Sequence, residues 1–172
     1  MKKKYKKGNL IWITGLSGSG KTYIGKRLKK ELEKKYGTFF LISGDDLRSI
    51  FKLKRYDRES RLIYAESYSK LCKRLTDQGT NVIITAGALF NKIRAWNKRN
   101  IKNYYEIFIK RPIKEIIKIN KKKLHSKNVK NVFGKDIKAE YPKNPDLIIL
   151  NNSKKDVDTH VKQILKKYRF YT

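Results

Sequence analysis

The chain has 172 residues, of which 44 are Lys or Arg and 15 are Asp or Glu, so its net charge at pH 7 is +29. This length suits one domain with one core, and a hydrophobic fraction of 39% in regularly spaced runs argues against disorder. The single cysteine, Cys72, excludes an intrachain disulfide and a cysteine-based zinc site, and we interpret it as a buried thiol in a reducing compartment.

The N-terminal sequence MKKKYKKGNL precedes an apolar run of five residues that a glycine loop interrupts. This run is too short for a signal peptide or a membrane span, so we expect a cytoplasmic protein with no membrane partner. We interpret residues 1–8 as a mobile basic arm. The other lysines are spread along the whole chain, which favours biased residue usage over a nucleic-acid-binding surface.

Apolar runs that suit buried strands alternate with runs that have helical periodicity. Residues 9–14, NLIWIT, have the β-branched and apolar character of a strand, and Ile24, Leu28 and Leu32 lie on one face of a helix over residues 21–36. In chain order, the later patterns predict a strand at 38–43, a loop into a helix at 44–51, a helix at 57–78, a strand at 81–86, a helix at 91–101, a strand at 104–110, a helix from Pro112, a strand at 146–150 and a helix at 155–168.

This alternation predicts an α/β fold with a five-stranded parallel sheet covered by helices on both faces. The basic stretch at about 119–145 has no clear periodicity and no place in the sheet. Because long irregular loops in compact domains are usually functional, we expect a lid there. We see no repeat and no second domain, so residues 1–172 are assigned to a single domain.

The sequence GLSGSGKT at residues 15–22 matches the phosphate-loop pattern at every specified position, between a predicted strand and a predicted helix. Glycines let backbone N–H groups turn toward an anion, and the helix N-terminus adds positive charge. Lys21 is predicted to reach the β- and γ-phosphates of ATP as a catalytic cation, and the Thr22 hydroxyl to bind Mg²⁺. The residues assigned to nucleotide binding are Gly15, Ser17, Gly18, Ser19, Gly20, Lys21 and Thr22.

Asp45 and Arg48 follow the second predicted strand, at the sheet edge where parallel α/β proteins bind their ligands. A carboxylate there can orient an acceptor hydroxyl or a magnesium-bound water, and an arginine can bind a substrate anion. Asp45 is also well placed to cap the helix that follows, a role that is compatible with catalysis.

The phosphate loop and the segments SGDDLR, YDRESR, DQGTNVIITA and NPDLII, in this order, resemble the adenylylsulfate kinase family over about residues 9–165. The resemblance implies a P-loop fold like that of nucleoside monophosphate kinases. It implies that the γ-phosphate of ATP is transferred, with Mg²⁺, to the ribose 3′-hydroxyl of a sulfate-activated nucleotide. It also implies a possible homodimer.

The resemblance also assigns residues. It implies that Asp45 is the acceptor-site aspartate, that Arg48 and Arg58 bind the acceptor's anionic groups, and that Asn144 and Pro145 lie near the ATP base.

The chain departs from the family pattern at several positions. Ser43 stands where the family has Asp, Arg61 where it has Asn, and Ile63 and Tyr64 where it has two arginines. Ala88 stands where the family has Ser, and Ile119-Asn120 where it has an Arg-Asp pair. The alanine excludes any role for the family's serine. The nearby lysines that could replace the charge lost from the lid are Lys118, Lys121, Lys122 and Lys123.

The segments RYDRESRL, LCKRLTDQG and ALFNKIRAWNKRNIKNYYEIFI resemble an offshoot of the family that phosphorylates cytidine diphosphoramidate in bacterial capsule decoration. This favours that acceptor slightly over adenylyl sulfate. Phe51, Tyr56 and Phe133 are candidates to stack on the acceptor base, with a core role weighed equally. Two alternatives remain: a degenerate nucleotide-binding module, and, ranked lower, a nucleic-acid end kinase suggested by the charge.

Overall fold

The computed structural model describes residues 6–119, 129–152 and 157–170. The strands are β1 (Asn9–Thr14), β2 (Phe39–Ser43), β3 (Asn81–Ala86), β4 (Asn103–Lys110) and β5 (Leu147–Leu150). The helices are α1 (Lys21–Tyr36), α2 (Gly44–Ile50), α3 (Arg58–Asp77), α4 (Asn91–Asn100), α5 (Ile113–Ile119) and α6 (Val157–Lys167). The predicted alternation of strands and helices is confirmed.

The five strands form one sheet in the order β2-β3-β1-β4-β5, and every neighbouring pair is parallel. The central strand β1 is buried along its whole length, which explains its unbroken apolar sequence. Because all strands point the same way, their carboxyl ends meet at one edge, and the phosphate loop follows β1 at that edge.

Helices cover both faces of the sheet, as predicted. On one face, α1 and α6 pack through Leu28 and Ile164 against alternate side chains of the strands. On the other face, α2 to α5 form a second core cluster that includes Cys72, which is buried and free as predicted. In the described residues, no helix combines the length and the apolar character needed to cross a membrane.

The end of the predicted N-terminal arm is fixed to the domain. Gly8 is buried and its backbone N–H donates to Thr76 O at 2.8 Å, while the Asn103 side chain donates to Lys7 O at 3.0 Å. Lys7 Nζ also pairs with Asp77 at 2.8 Å. The prediction of a mobile arm was therefore wrong for residues 7 and 8, whereas residues 1–5 lie outside the described residues.

Part of the predicted lid also belongs to the core. Phe133 and Ile137 form an isolated bridge and pack in the same cluster as α3 and α4. Apolar side chains at these positions explain why the segment packs here despite its lack of periodicity. Residues 120–128, which contain the predicted lid lysines Lys121, Lys122 and Lys123, lie outside the described residues.

Gly8→Ala should lower the free energy of unfolding by about 1–3 kcal/mol, because a Cβ at residue 8 would lie 2.0 Å from Thr80 O. Denaturant unfolding followed by circular dichroism measures this loss. Lys6→Ala, in the exposed residue two positions earlier, is the control and should change stability by less than about 0.5 kcal/mol. Equal stability of the two variants would contradict a fixed Gly8.

Candidate active site

The phosphate loop requires glycine at two positions where other chain segments approach it closely. Gly15 has φ 151°, and a Cβ there would lie 2.5 Å from Ile109 O at the end of β4. Gly20 has φ 96°, and a Cβ there would lie 2.5 Å from the Asn151 side-chain nitrogen. Both glycines are therefore required by close packing as well as by backbone conformation.

Asn151, directly after β5, holds the loop in place. Its Nδ2 donates to Ser19 O at 2.7 Å, and its backbone N–H donates to Lys110 O at 2.9 Å. The residue is 5% exposed, so both bonds are protected from water. We did not predict this residue. A polar residue directly after the apolar strand DLIIL, at the ligand-binding edge of the sheet, was the signal that could have identified it.

Lys21 begins α1 and lies beneath the loop, where its Nζ donates to Leu16 O at 2.8 Å. Burial lowers the pKa of Lys21 to about 8, and the negative charge of Asp45 partly opposes this shift. The two residues predicted to be catalytic are thus within electrostatic reach of each other.

Two hydroxyl groups lie beside the phosphate loop. Thr22 Oγ1 lies 3.2 Å from Thr85 Oγ1 at the end of β3, and both residues face the same cavity as Asp45. Hydroxyl and carboxylate oxygens are hard ligands that suit Mg²⁺, which usually takes its remaining ligands from phosphates and water. The donor set therefore fits the predicted metal.

The N-cap of α2 is Ser43, not the predicted Asp45. Ser43 Oγ accepts a bond from Asp46 N at 3.0 Å, and the Asp46 carboxylate accepts from Ser43 N at 2.9 Å. This capping box lowers the pKa of Asp46, chiefly through the backbone bond. Because Ser43 and Asp46 satisfy the helix end, Asp45 is exposed and its carboxylate stays available to a substrate.

Two arginines face the cavity beyond Asp45. The Arg48 guanidinium lies 3.7 Å from the centre of the Tyr56 ring and donates to Leu53 O at 2.9 Å. Arg61 donates to Tyr56 O and Asn131 O, at 2.7 and 2.8 Å.

These bonds leave the charges of the two arginines unneutralised. Burial is the main cause that lowers the pKa of Arg61, and the positive charge of Arg48 lowers it further. The ion pairs found among the described residues include neither arginine. The two guanidinium groups together suit a substrate anion.

The structure does not bring Arg58 into the cavity. Its guanidinium donates to Glu140 at 2.9 Å, and 56% of its side chain is exposed. Arg61, one helical turn further along α3, faces the cavity instead. The sequence marks Arg61 only as a departure from the family pattern and assigns it no role.

The three aromatic candidates occupy different positions. Phe133 is 8% exposed and packs edge-on against Phe90 at 5.3 Å, but it also faces the cavity. Tyr56 faces the cavity and is half exposed, whereas Phe51 is exposed and does not line it. The Arg61 guanidinium lies 5.2 Å from the centre of the Tyr56 ring and 5.1 Å from the centre of the Phe133 ring.

Asn144 and Pro145, predicted to lie near the ATP base, precede β5 at the other edge of the sheet. Leu147, the first residue of β5, pairs with Ile107 in the middle of β4, so the residues before it lie level with the start of β4. The phosphate loop lies beyond the carboxyl ends of the strands. Asn144 and Pro145 do not line the cavity, and their position near the ATP base stays a prediction.

One cavity of about 1140 Å³ joins these groups. Small-molecule sites usually measure about 300–1,000 Å³, so it has room for more than one small ligand. The predicted residues that line it are Ser17, Gly18, Gly20, Lys21, Thr22, Asp45, Arg48, Tyr56 and Phe133. Lining residues that were not assigned to the site from the sequence include Arg61, Thr85, Arg111, Asn131 and Asn151.

The family model described as adenylylsulphate kinase matches residues 7–150. The chain belongs to the adenylylsulphate kinase family. The cytidine diphosphoramidate kinase of Campylobacter jejuni is 40% identical over 162 residues, covering 92% of this chain and 95% of that protein. The adenylyl-sulfate kinase of Pseudomonas aeruginosa is 30% identical, covering 91% of this chain and 83% of that protein.

The structure of the Mycobacterium tuberculosis APS kinase CysC in complex with AMPPNP and APS superimposes on this kinase with a TM-score of 0.83. The overlap covers 94% of this chain and 97% of that chain, at 23% identity, which supports the fold. Because its relatives are kinases of this family, the chain is a phosphotransferase of the P-loop kinase class.

A strongly perturbed carboxyl group, Glu106, lies outside the active site of this kinase. Burial raises the pKa of Glu106 to about 7, and Arg94, 3.5 Å away, partly opposes the shift. Both residues are buried, and neither lines the cavity. A perturbed carboxyl group in a kinase can act as a base, but this pair belongs to the core.

The affinity of the free kinase for a non-hydrolysable ATP analogue should fall as the pH rises above about 8, where Lys21 loses its proton. The loss should approach about tenfold per pH unit, because only the charged lysine pairs with phosphate. Asp45→Asn should lower the pH at which the affinity begins to fall, since the aspartate charge raises the pKa of Lys21. Calorimetric titrations over a pH series measure both effects. If the affinity of the variant began to fall at the same pH, the electrostatic coupling of Asp45 to Lys21 would be contradicted.

Proposed function

We propose that this protein is an ATP-dependent kinase that transfers the γ-phosphate to the ribose 3′-hydroxyl of an activated nucleotide, with cytidine diphosphoramidate favoured over adenylyl sulfate. One observation carries the proposal. One cavity joins the phosphate-loop cation Lys21 to the exposed carboxylate of Asp45 and to two arginines, Arg48 and Arg61, which form no ion pair among the described residues. Such a cavity suits a phosphoryl donor and an anionic acceptor side by side.

The donor half consists of the loop, the α1 N-terminus and Lys21. Backbone N–H groups and the lysine bind the ATP phosphates and stabilise the charge that spreads over the transferred group. Thr22 would hold Mg²⁺ through its hydroxyl, and the bound metal would neutralise phosphate charge. Asn151 keeps the loop in position through Ser19, so little reorganisation accompanies transfer.

Asp45 orients the acceptor hydroxyl in line with the γ-phosphorus and accepts its proton. Its position at the carboxyl end of β2, within electrostatic reach of Lys21, places a base next to the transferred phosphoryl group. Because Ser43 and Asp46 satisfy the helix end, this carboxylate is not required for structure.

The acceptor half consists of Arg48, Arg61, Tyr56 and Phe133. The two guanidinium groups bind the anhydride anion of the acceptor, and the two rings flank its base. Cytidine diphosphoramidate is favoured because the Campylobacter jejuni enzyme that bears this name is 40% identical, against 30% for the adenylyl-sulfate kinase of Pseudomonas aeruginosa.

The remaining expectations stand as parts of this proposal. The 172 residues form one cytoplasmic P-loop kinase domain, a candidate homodimer that acts in capsule biosynthesis. Lys118 and Lys130, on either side of residues 120–128, would help to cover the phosphates on closure, which keeps water from the reaction.

The acceptor assignment predicts a higher kcat/KM for cytidine diphosphoramidate than for adenylyl sulfate. ADP release with Mg²⁺ and ATP, measured with each acceptor in turn, tests this. Lys21→Ala should abolish the signal with both acceptors while leaving the circular dichroism spectrum unchanged. No acceptor-dependent ADP release would instead favour a degenerate binding module, and release with oligonucleotides alone would favour a nucleic-acid end kinase.

Asp45→Asn should lower kcat by about 10²–10⁴-fold, because it removes the group that accepts the acceptor's proton. Asp46→Asn is the matched control. It weakens the capping box of α2 and should cost about 1 kcal/mol of stability, yet retain kcat. If Asp46→Asn lost as much activity as Asp45→Asn, the base assigned here would be wrong.

A further inference from the structure

Arg111 is a buried arginine that the proposed function does not use. It is 6% exposed, and its Nε has no hydrogen-bond partner. The ion pairs among the described residues do not include it. Burying a guanidinium without a counter-charge is costly, so the residue calls for an anion from outside the described chain.

The chain places Arg111 on the donor side of the cavity. It directly follows β4, whose Ile109 O lies against Gly15 of the phosphate loop. Lys110 O accepts a bond from Asn151 N, and the Asn151 side chain in turn binds Ser19 of the loop. Arg111 therefore follows Lys110, which is linked to the phosphate loop through the two hydrogen bonds of Asn151.

Arg111 faces the donor side of the cavity. Arg111 lines the cavity together with Gly20, Lys21 and Asn151. The two acceptor-side arginines, Arg48 and Arg61, come instead from α2 and α3, which follow β2. Because β2 and β4 lie on opposite sides of β1, Arg111 and the acceptor arginines approach the cavity from opposite sides.

We propose that Arg111 is a positioning residue that binds the polyphosphate of the donor nucleotide, as a second cation beside Lys21. This inference rests on the proposed function, because it takes the donor to be ATP. An arginine fork can donate two parallel N–H bonds to a phosphate in a fixed geometry, whereas a lysine acts as a point charge, so Arg111 would fix the orientation of the phosphate chain as well as neutralise its charge.

The competing role within the chain is a structural bond to Asn151, whose Oδ1 is also buried without a partner. The two roles predict opposite effects on the protein without ligand. If Arg111 awaits a phosphate, an uncharged side chain of similar length should raise the melting temperature of the free protein. If Arg111 supports Asn151, the same change should lower it.

The test measures binding of AMP, ADP and a non-hydrolysable ATP analogue to Arg111→Met by calorimetry, with no acceptor present. The expected loss of affinity is at least about tenfold for the ATP analogue and smaller for AMP, because fewer phosphates are present to bind. Arg111→Lys should recover part of the loss. Lys110→Met is the matched control, since it removes the same charge from the adjacent exposed residue, and it should bind all three nucleotides normally.

Steady-state kinetics separates the donor and acceptor sides. Arg111→Met should raise the KM for ATP and leave the KM for the acceptor unchanged. An effect on the acceptor KM alone, or a lower melting temperature with normal ATP affinity, would overturn the proposal and leave the proposed function intact. Failure of the unaltered protein to bind the ATP analogue would instead remove the proposed function, and this inference with it.

Discussion

The active site depends on how the phosphate loop is held against the ends of β4 and β5. Gly15 lies so close to the backbone of Ile109, near the end of β4, that no side chain would fit. Asn151, directly after β5, donates a hydrogen bond to Ser19 O of the loop. The loop can therefore present its N–H groups in one arrangement before any ligand arrives. Preorganised donors of this kind stabilise developing charge without reorganising during the reaction.

The same contacts link the donor cradle to the fold. Parallel pairing of β1 with β3 and β4 brings Thr85 beside the loop and carries Arg111 to the cavity wall. The acceptor residues come from the other side, where α2 starts at a capping box that leaves Asp45 free. A phosphoryl donor and an acceptor hydroxyl can thus be held by different elements, each rigid in its own right.

The sequence predicted what depends on local patterns. The glycine spacing, Lys21 and Thr22 lie within eight residues, and each strand or helix has its own periodicity, so the fold and the loop were both accessible. Arg61 was not assigned to the site, because whether it or Arg58 faces the cavity depends on how α3 is turned against the sheet and on the ion pair with Glu140.

Other site residues show the same limit. Asn144 and Pro145 carry a local resemblance, but their place before β5 follows from the register of β5 against β4, and their position near the ATP base stays a prediction. Asn151 and Arg111 gain their positions from strand order, which a single sequence does not specify. The high net charge gave little help, because exposed lysines far outnumber the few buried cations that line the cavity.

The central claim is that a phosphoryl group passes from ATP to a ribose hydroxyl of a second nucleotide. ³¹P nuclear magnetic resonance of the reaction with cytidine diphosphoramidate tests it most directly. The account predicts a new monophosphate signal coupled to the ribose H3′ proton, in equal amount to the ADP formed. Inorganic phosphate as the only new signal besides those of ADP, or a phosphate attached to the anhydride chain, would contradict it.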